Sequence, residues 1–403
     1  MKYNIIVFYI YYLSMSFEAP IRFLLNAIDI PYILYIRDVL LISVIIRHLL
    51  KRTAIYDVVM IAVIGIYAVV GFVFTENILQ VLWGIKTIYP LYAGLIICED
   101  YWNVFYKMER LYKIVFLSGA IGLSLHWLIG DPWWVNMPDN ALTGIENVRV
   151  WHFSYDGEVV NRLGGFSRSS IDAAILLLIG GAYLMVIKKN YLFYTLLLLG
   201  ALVLTTTKAN IIAGGIMAIV FGIKKFDKTW FIFTMKVLTG ITIGAFVLIP
   251  IMVNVLLDII SSGDYGMAYV FLQSFEDRLM NTWPMSVDII DGYGSYVLGR
   301  GIGGIGFSTV LFERIAPYPV VTDSTFLYMY GSIGILSIAL LGYMVKRVLG
   351  ISDIYTDRKA YMLAVLFGFF CIGITTDVLN QMALLHMGIA VGWLIRNNDG
   401  EVY

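Results

Sequence analysis

The sequence predicts an all-α polytopic integral membrane protein of about twelve transmembrane helices, on three observations. Of 403 residues, 60% are hydrophobic and 14% charged, with a mean hydropathy of +0.82. A soluble domain carries about 25% charged residues, and no soluble fold of this length has interior enough for so much apolar surface. Apolar stretches of about 20 residues, enough to cross a hydrocarbon core about 30 Å thick, recur along the chain. Finally, Lys and Arg gather in alternate connections, as the positive-inside rule requires.

The predicted spans fall at about 3–20, 31–50, 55–74, 78–98, 111–130, 170–187, 190–207, 209–223, 230–254, 326–345, 360–377 and 381–395. The first resembles a signal peptide but has no A-x-A site after it, so it is read as an uncleaved span. With the N-terminus in the cytoplasm, the inner connections hold Lys51, Arg52, Lys107, Arg110, Lys113, Lys188, Lys189, Lys224, Lys225, Lys346 and Arg347. The outer ones hold far fewer cations, and both termini are cytoplasmic. Residues 1–403 form a single transmembrane domain. Two connections, about 131–169 and 255–325, are long enough to be functional and lie on the extracytoplasmic side. In the second, the spacing in SFEDRLMNTW and YVFLQSF predicts short helices.

Cys98 and Cys371 lie in apolar segments and read as buried thiols. Four histidines without a Cys/His cluster give no zinc site, and neither a metal nor a cofactor is expected. Lys+Arg and Asp+Glu balance at 28 each, so net charge identifies no partner.

Residues 299–306, GRGIGGIG, contain G-x-G-x-x-G at Gly301, Gly303 and Gly306. No βαβ unit surrounds them, so they do not form a dinucleotide-binding turn. The glycines could still let backbone N–H groups approach an anion.

Ionisable residues inside a span are costly and mark functional hypotheses. Lys86 sits mid-span with Pro90 one turn later; lacking an acidic neighbour one turn away, it suits a bound anion. Arg37 and Asp38 read as an internal ion pair, and Lys236 as snorkelling. On the outer side Arg162, Arg168, Lys208, Arg278 and Arg300 lie beside span ends, where positive charge is disfavoured. Together they point to an anion in the outer leaflet, a lipid-linked phosphate. Glu276, Asp277, Asp291 and Asp323 are the carboxylates available as bases; Asp323 also suits an N-cap, since it opens the tenth span. His152 lies in the first long loop. His48 and His126 read as polar residues near helix ends, and His386 as a packing residue.

These elements in this order resemble the O-antigen polymerase and ligase superfamily (Wzy-type and WaaL-type proteins). Arg162 is followed by Gly164, Gly165 and Phe166 before a span, and TTTKAN forms a tight turn carrying Lys208. Arg278 is followed by Trp283 and by the glycine segment running to Phe307. Asp323 leads to Tyr330, Gly331, Gly334 and Ile335. The family's tight turn normally carries Arg, and Lys208 keeps the charge without the planar fork. The family's first motif usually continues into Pro-Asn, where this chain has SRSSIDAA.

The resemblance implies a metal-independent glycosyltransferase of the GT-C type in a bacterial inner membrane, with its active site on the periplasmic side. The donor would be an undecaprenyl-diphosphate-linked oligosaccharide and the acceptor a sugar hydroxyl of another lipid-linked repeat unit. Arg162, Lys208, Arg278 and Lys86 would bind the diphosphate. Arg278, Asp323 and Arg300 would be catalytic, and Gly301, Gly303 and Gly306 would form the acceptor-loop backbone. Membrane lipids and a chain-length regulator protein are the expected partners, with no nucleic acid. Ligases of this superfamily carry a catalytic His in the second long loop, and residues 255–325 contain none, which favours a polymerase. The alternatives are a ligase or protein O-glycosyltransferase, and a lipid-linked oligosaccharide flippase.

Overall fold

A computed structural model describes residues 2–51, 55–135, 151–155, 158–188, 190–253, 255–257, 275–319, 321–377 and 381–396. The described residues form a bundle of α-helices with one β-hairpin. The helices are α1 (Tyr3–Ser16), α2 (Glu18–Ala27), α3 (Ile36–Lys51), α4 (Ile55–Thr75), α5 (Ile78–Asn103) and α6 (Glu109–Ile129). After the hairpin β1 (Trp151–Tyr155) and β2 (Glu158–Arg162) come α7 (Ser170–Ile187), α8 (Tyr191–Thr205), α9 (Lys208–Lys224) and α10 (Lys228–Ile251). Two shorter helices follow, α11 (Trp283–Tyr293) and α12 (Phe307–Phe312). The last are α13 (Thr325–Ile333), α14 (Ile335–Leu349), α15 (Asp357–Gly373) and α16 (Gln381–Arg396).

Among the described residues five helices are long and apolar enough to cross a membrane: α4, α5, α6 with the 3₁₀ turn before it, α7 and α10. Helices α7 and α15 are buried along almost their whole length and form the bundle centre. By contrast α4 turns Ile55, Val59, Ile66, Val69 and Val73 outward, all at least half exposed. Such a continuous apolar face suits lipid rather than water. Helices α5 and α16 pack backbone to backbone: a Cβ on Gly94 would sit 2.2 Å from the Leu385 carbonyl oxygen, and one on Gly388 2.1 Å from that of Leu91. Small residues at a seam let apolar helices approach this closely. Cys98 and Cys371 are free thiols.

Three predicted spans are not single helices. The first breaks at Phe17 between α1 and α2, and the second begins as a 3₁₀ turn over Pro31–Tyr35 before α3. The tenth breaks at Gly334, with φ +56, into α13 and α14. The apolar pattern runs on through all three; only the break at Gly334 is buried, whereas Tyr32, Ile33, Tyr35 and Ile36 around the second are exposed. At Gly334 the freed groups find partners elsewhere: Tyr67 donates to the Ile333 carbonyl at 3.1 Å, and Ile335 N–H donates to that of Val297 at 3.1 Å.

The glycine-rich loop fills the space this break opens. Ile302 N–H donates to the Tyr67 carbonyl at 2.9 Å, Arg300 N–H to that of Gly331 at 2.6 Å, and Gly304 N–H to that of Gly301 at 3.1 Å. Gly301, Gly303 and Gly306 have φ of +78, +85 and +89. A Cβ on Gly301 would lie 2.0 Å from the backbone nitrogen of Gly71 in α4, and one on Gly303 2.4 Å from the Gln80 carbonyl oxygen in α5. These glycines therefore pack a loop between two helices. The N–H groups of Ile302 and Gly304 go to protein carbonyls and are therefore committed within the fold.

Arg300 anchors the same loop and is fully buried. Its guanidinium grips Glu313 at 2.7 and 3.1 Å and the Gly304 carbonyl at 2.8 Å. Burial alone would raise the Glu313 carboxyl. The Arg300 hydrogen bond, the Ala316 N–H, Arg300's charge and Gln80 together bring it down to about 2. With folded pKa below the ordinary 4.5, the pair stabilises the fold above that value and loses its contribution as pH falls toward about 2. Glu313→Gln strands a buried charge, at a cost of about 3–5 kcal/mol. Thermal unfolding in detergent should therefore show a marked drop in midpoint for this variant at neutral pH; an unchanged midpoint would show that the pair does not hold the loop.

Candidate functional site

Three cations from distant parts of the sequence meet at the end of the bundle formed by the start of α7, α9 and α13. The first, Arg162, closes β2, where it sits opposite Trp151. Its position is fixed by the turn that follows. Gly165, with φ +59, lies against Gly122 and Leu123 of α6. The Gly165 N–H donates to His126 Nδ1 at 3.3 Å, and its carbonyl accepts from Trp134 Nε1 at 2.8 Å. Phe166 then accepts from the Ala19 N–H at 3.0 Å, tying the segment to α2. His126 is thus a buried structural residue near a helix end, as its sequence context predicts.

The second cation, Lys208, is the first residue of α9. The preceding threonines make the turn: Thr206 takes φ +52, and Thr205 Oγ1 donates to the Leu202 carbonyl at 2.7 Å while contacting Thr207 Oγ1 at 2.7 Å. Hydroxyls that bond the local backbone stabilise such a turn without glycine. The third cation, Arg278, opens a π-helical turn over Arg278–Thr282 that runs into α11. Wide turns of this kind concentrate at functional sites. Leu279 and Trp283 anchor it in the core, with Phe275 edge-on to Trp283 at 5.6 Å between ring centres. Within SFEDRLMNTW helical structure is present, as expected; residues 269–274 of YVFLQSF lie outside the described residues.

Asp323 stands where these cations meet. Arg278 Nη2 lies 3.3 Å from its Oδ2, and Trp283 Nε1 reaches its carbonyl at 3.4 Å. It is not a helix cap: Ser324 holds the N-cap position of α13, and no side chain there bonds the first turn. The capping reading gives way to an Arg–Asp pair. Arg162 is acted on by Arg278 and Asp323, and Lys208 by Arg162 and Arg278, so the four form one electrostatic unit. Burial raises the Asp323 carboxyl above its ordinary value, helped by Asp277 and opposed by Arg278 and Arg162. Burial lowers Arg162, and Arg278's like charge pushes the same way. Three cations held together in a partly buried place repel one another, and a bound anion relieves that repulsion.

Lys86 and Arg300 lie outside this unit. Arg300 is committed to Glu313, so the catalytic role assigned to it from the sequence is replaced by a structural one. Lys86 Nζ sits over the rings of Trp83 and Tyr35, 4.4 and 4.7 Å from their centres. Arg37 and Asp38 do not pair with each other as their adjacency suggests: successive residues of a helix do not face each other. Arg37 pairs instead with Glu18 at 3.0 Å, and Asp38 accepts from the Tyr89 hydroxyl at 2.5 Å. Glu18 also holds Arg22, at 2.6 Å. That contact was legible as an i,i+4 spacing; the reach of Glu18 to Arg37 was not. Lys236 is tied down by Asp353 and by the Ile351 carbonyl at 3.0 Å. His48 bonds Asp57 at 3.1 Å, and His386 packs among Phe8, Tyr12 and Tyr112. The side chain of His152 lies outside the described residues.

A comparison with protein-family models, with characterised proteins and with solved structures finds no match for this chain.

The electrostatics give a direct test. In protein with labelled aspartate carboxyls, Asp323 should titrate above the ordinary 3.8. Removing Arg278's opposing charge by Arg278→Ala should move it higher still. A midpoint below 3.8, or a downward move in the variant, would contradict this arrangement.

Proposed function

We propose that the protein is a membrane-embedded glycosyltransferase of the GT-C type that polymerises a bacterial surface polysaccharide such as O-antigen. The donor is a glycan on undecaprenyl diphosphate, and the acceptor is a sugar hydroxyl of another lipid-linked repeat unit. The observation that carries this reading is the meeting of Arg162, Lys208 and Arg278 around Asp323 at one end of an apolar helical bundle. In this reading about twelve helices cross the inner membrane, both termini are cytoplasmic, and the segments 131–169 and 255–325 lie outside. The shorter helices complete the count; α15, at 17 residues, spans about 26 Å.

The chemistry follows from the charges. The anomeric carbon–oxygen bond to the diphosphate breaks as the acceptor oxygen bonds to that carbon, and undecaprenyl diphosphate leaves carrying the bond's electrons. Arg278, Arg162 and Lys208 stabilise the negative charge gained by the leaving group, a contribution of about 2.7–4 kcal/mol for one well-placed donor. The acceptor hydroxyl's proton passes to Asp323, whose raised pKa brings it nearer to the strength a base needs. Preorganised cations replace a divalent ion in this scheme.

Arg278→Ala should lower chain extension by about 100-fold or more while membrane abundance stays near normal; retention of full activity would remove the clamp from the mechanism. Activity should also persist in EDTA, and a loss restored by Mg²⁺ would place the chemistry in a different class. A gel of surface polysaccharide from a strain lacking the gene separates the readings. A ladder reduced to core plus one repeat unit supports a polymerase. Loss of every band with lipid-linked polymer accumulating would identify a ligase.

A further inference from the structure

The end of the bundle opposite Lys208 carries a corner that the proposed reaction does not use. Helix α9 begins at Lys208 and ends at Lys224, so about 24 Å separates its two ends. From there the chain reads KKFDKTWF over residues 224–231. A tight turn joins α9 to α10: the N–H groups of Phe226 and Asp227 both donate to the Ile223 carbonyl at 2.9 Å. Asp227 then caps α10, accepting from the Thr229 N–H at 2.7 Å and the Trp230 N–H at 3.1 Å. Every residue from Lys225 to Trp230 is exposed. Phe226 is 87% exposed and Trp230 61%, whereas the next ring, Phe231, is buried. A fixed turn thus holds two large aromatic side chains out from the fold.

The charge at this corner is one-sided once its partners are counted. Asp227 is spent on the cap, Asp353 pairs with Lys236, and Asp357 accepts from the Tyr355 hydroxyl at 2.7 Å. Lys224 donates to the Met185 and Val186 carbonyls at the end of α7, at 3.2 and 2.5 Å. Lys225 and Lys228 form no ion pair among the described residues. Lys228 Nζ lies 5.2 Å from the centre of the Tyr355 ring, against which Lys224 Nζ also rests at 5.4 Å. Beside Tyr355, in the α14–α15 connection, Ile354 is 72% exposed. Cations and apolar side chains therefore interleave on one outward surface. Water suits the lysines and not the rings; hydrocarbon does the reverse. The headgroup boundary suits both, because aromatic rings collect there and Lys is drawn to anionic headgroups. A neutral lipid would satisfy the rings alone. We infer that the α9–α10 corner binds an anionic phospholipid, with Lys225 and Lys228 on its phosphate and Phe226 and Trp230 among its upper acyl carbons. This puts the corner in the leaflet opposite the one that Lys208 faces. It requires only that the chain lie in a membrane, and it holds whether or not the glycosyltransferase reading does.

Trp230 can report on its own surroundings. The full chain is placed in bilayers of equal parts phosphatidylglycerol and phosphatidylcholine, with bromine on the acyl chains of one lipid or the other. Bromine quenches indole fluorescence at contact range, and subtracting the Trp230→Phe protein isolates the Trp230 signal from that of the other tryptophans. Brominated phosphatidylglycerol should quench this signal more strongly than brominated phosphatidylcholine. Lys225→Gln combined with Lys228→Gln should make the two equal, and Arg at both positions should keep the difference. Both lysines are exposed and outside any ion pair among the described residues, so these changes leave the fold in place. Equal quenching in the wild type would overturn the choice of an anionic lipid. A difference that survives the double Gln variant would overturn the part given to the lysines. No quenching by either lipid would show that the corner meets water or another protein, and the inference would fall.

Discussion

Non-helical backbone buried among apolar helices has to find partners for its N–H and C=O groups within the protein, because water does not reach it. The buried stretch from Gly299 to Gly306 meets this constraint at Arg300, Ile302 and Gly304, whose amides go to protein carbonyls, and much of the architecture depends on it. Its amides bond carbonyls of α4 and α13, and Arg300 with Glu313 closes the loop from within. The break at Gly334 is the complementary feature: it frees carbonyl and amide groups that Tyr67 and Val297 take up. Held between these, α11 and α13 are fixed relative to each other, and with them Arg278 and Asp323. The loop that resembles a nucleotide turn thus serves the site from behind, as its support.

Charge is then distributed with economy. The buried cations at the structural positions have their carboxylates: Arg300 has Glu313, Arg37 has Glu18, and Lys236 has Asp353. At the candidate site Arg162, Lys208 and Arg278 share the neighbourhood of Asp323, with Asp277 also acting on it. In the proposed function a diphosphate on a polyprenyl chain would suit both surroundings, the cationic end and the apolar bundle beneath it.

The sequence announces its fold class plainly, because apolar composition in 20-residue stretches has few other outcomes. It is less clear about continuity. The 326–345 stretch is uniformly apolar although Gly334 divides it, since the break faces protein and not water. Local geometry accounts for what sequence could see of the site: the turn at Gly165, the threonine turn before Lys208 and the Asp323 position are all written in short motifs. What it could not show is which charges are already spent. Arg300 and Arg278 look alike as outer-loop arginines, yet one is fully buried against Glu313 and the other partly exposed beside Asp323. Pairings such as Gln80 with Glu313, or Arg37 with Glu18, arise only when distant helices pack together.

If the cations at the end of the bundle hold a diphosphate, a cryo-EM map of the protein with undecaprenyl diphosphate will show phosphate density among Arg162, Lys208 and Arg278, with the polyprenyl chain descending along the bundle. Phosphate density at the Gly301–Gly306 loop instead, or at the opposite end of the bundle, would contradict it.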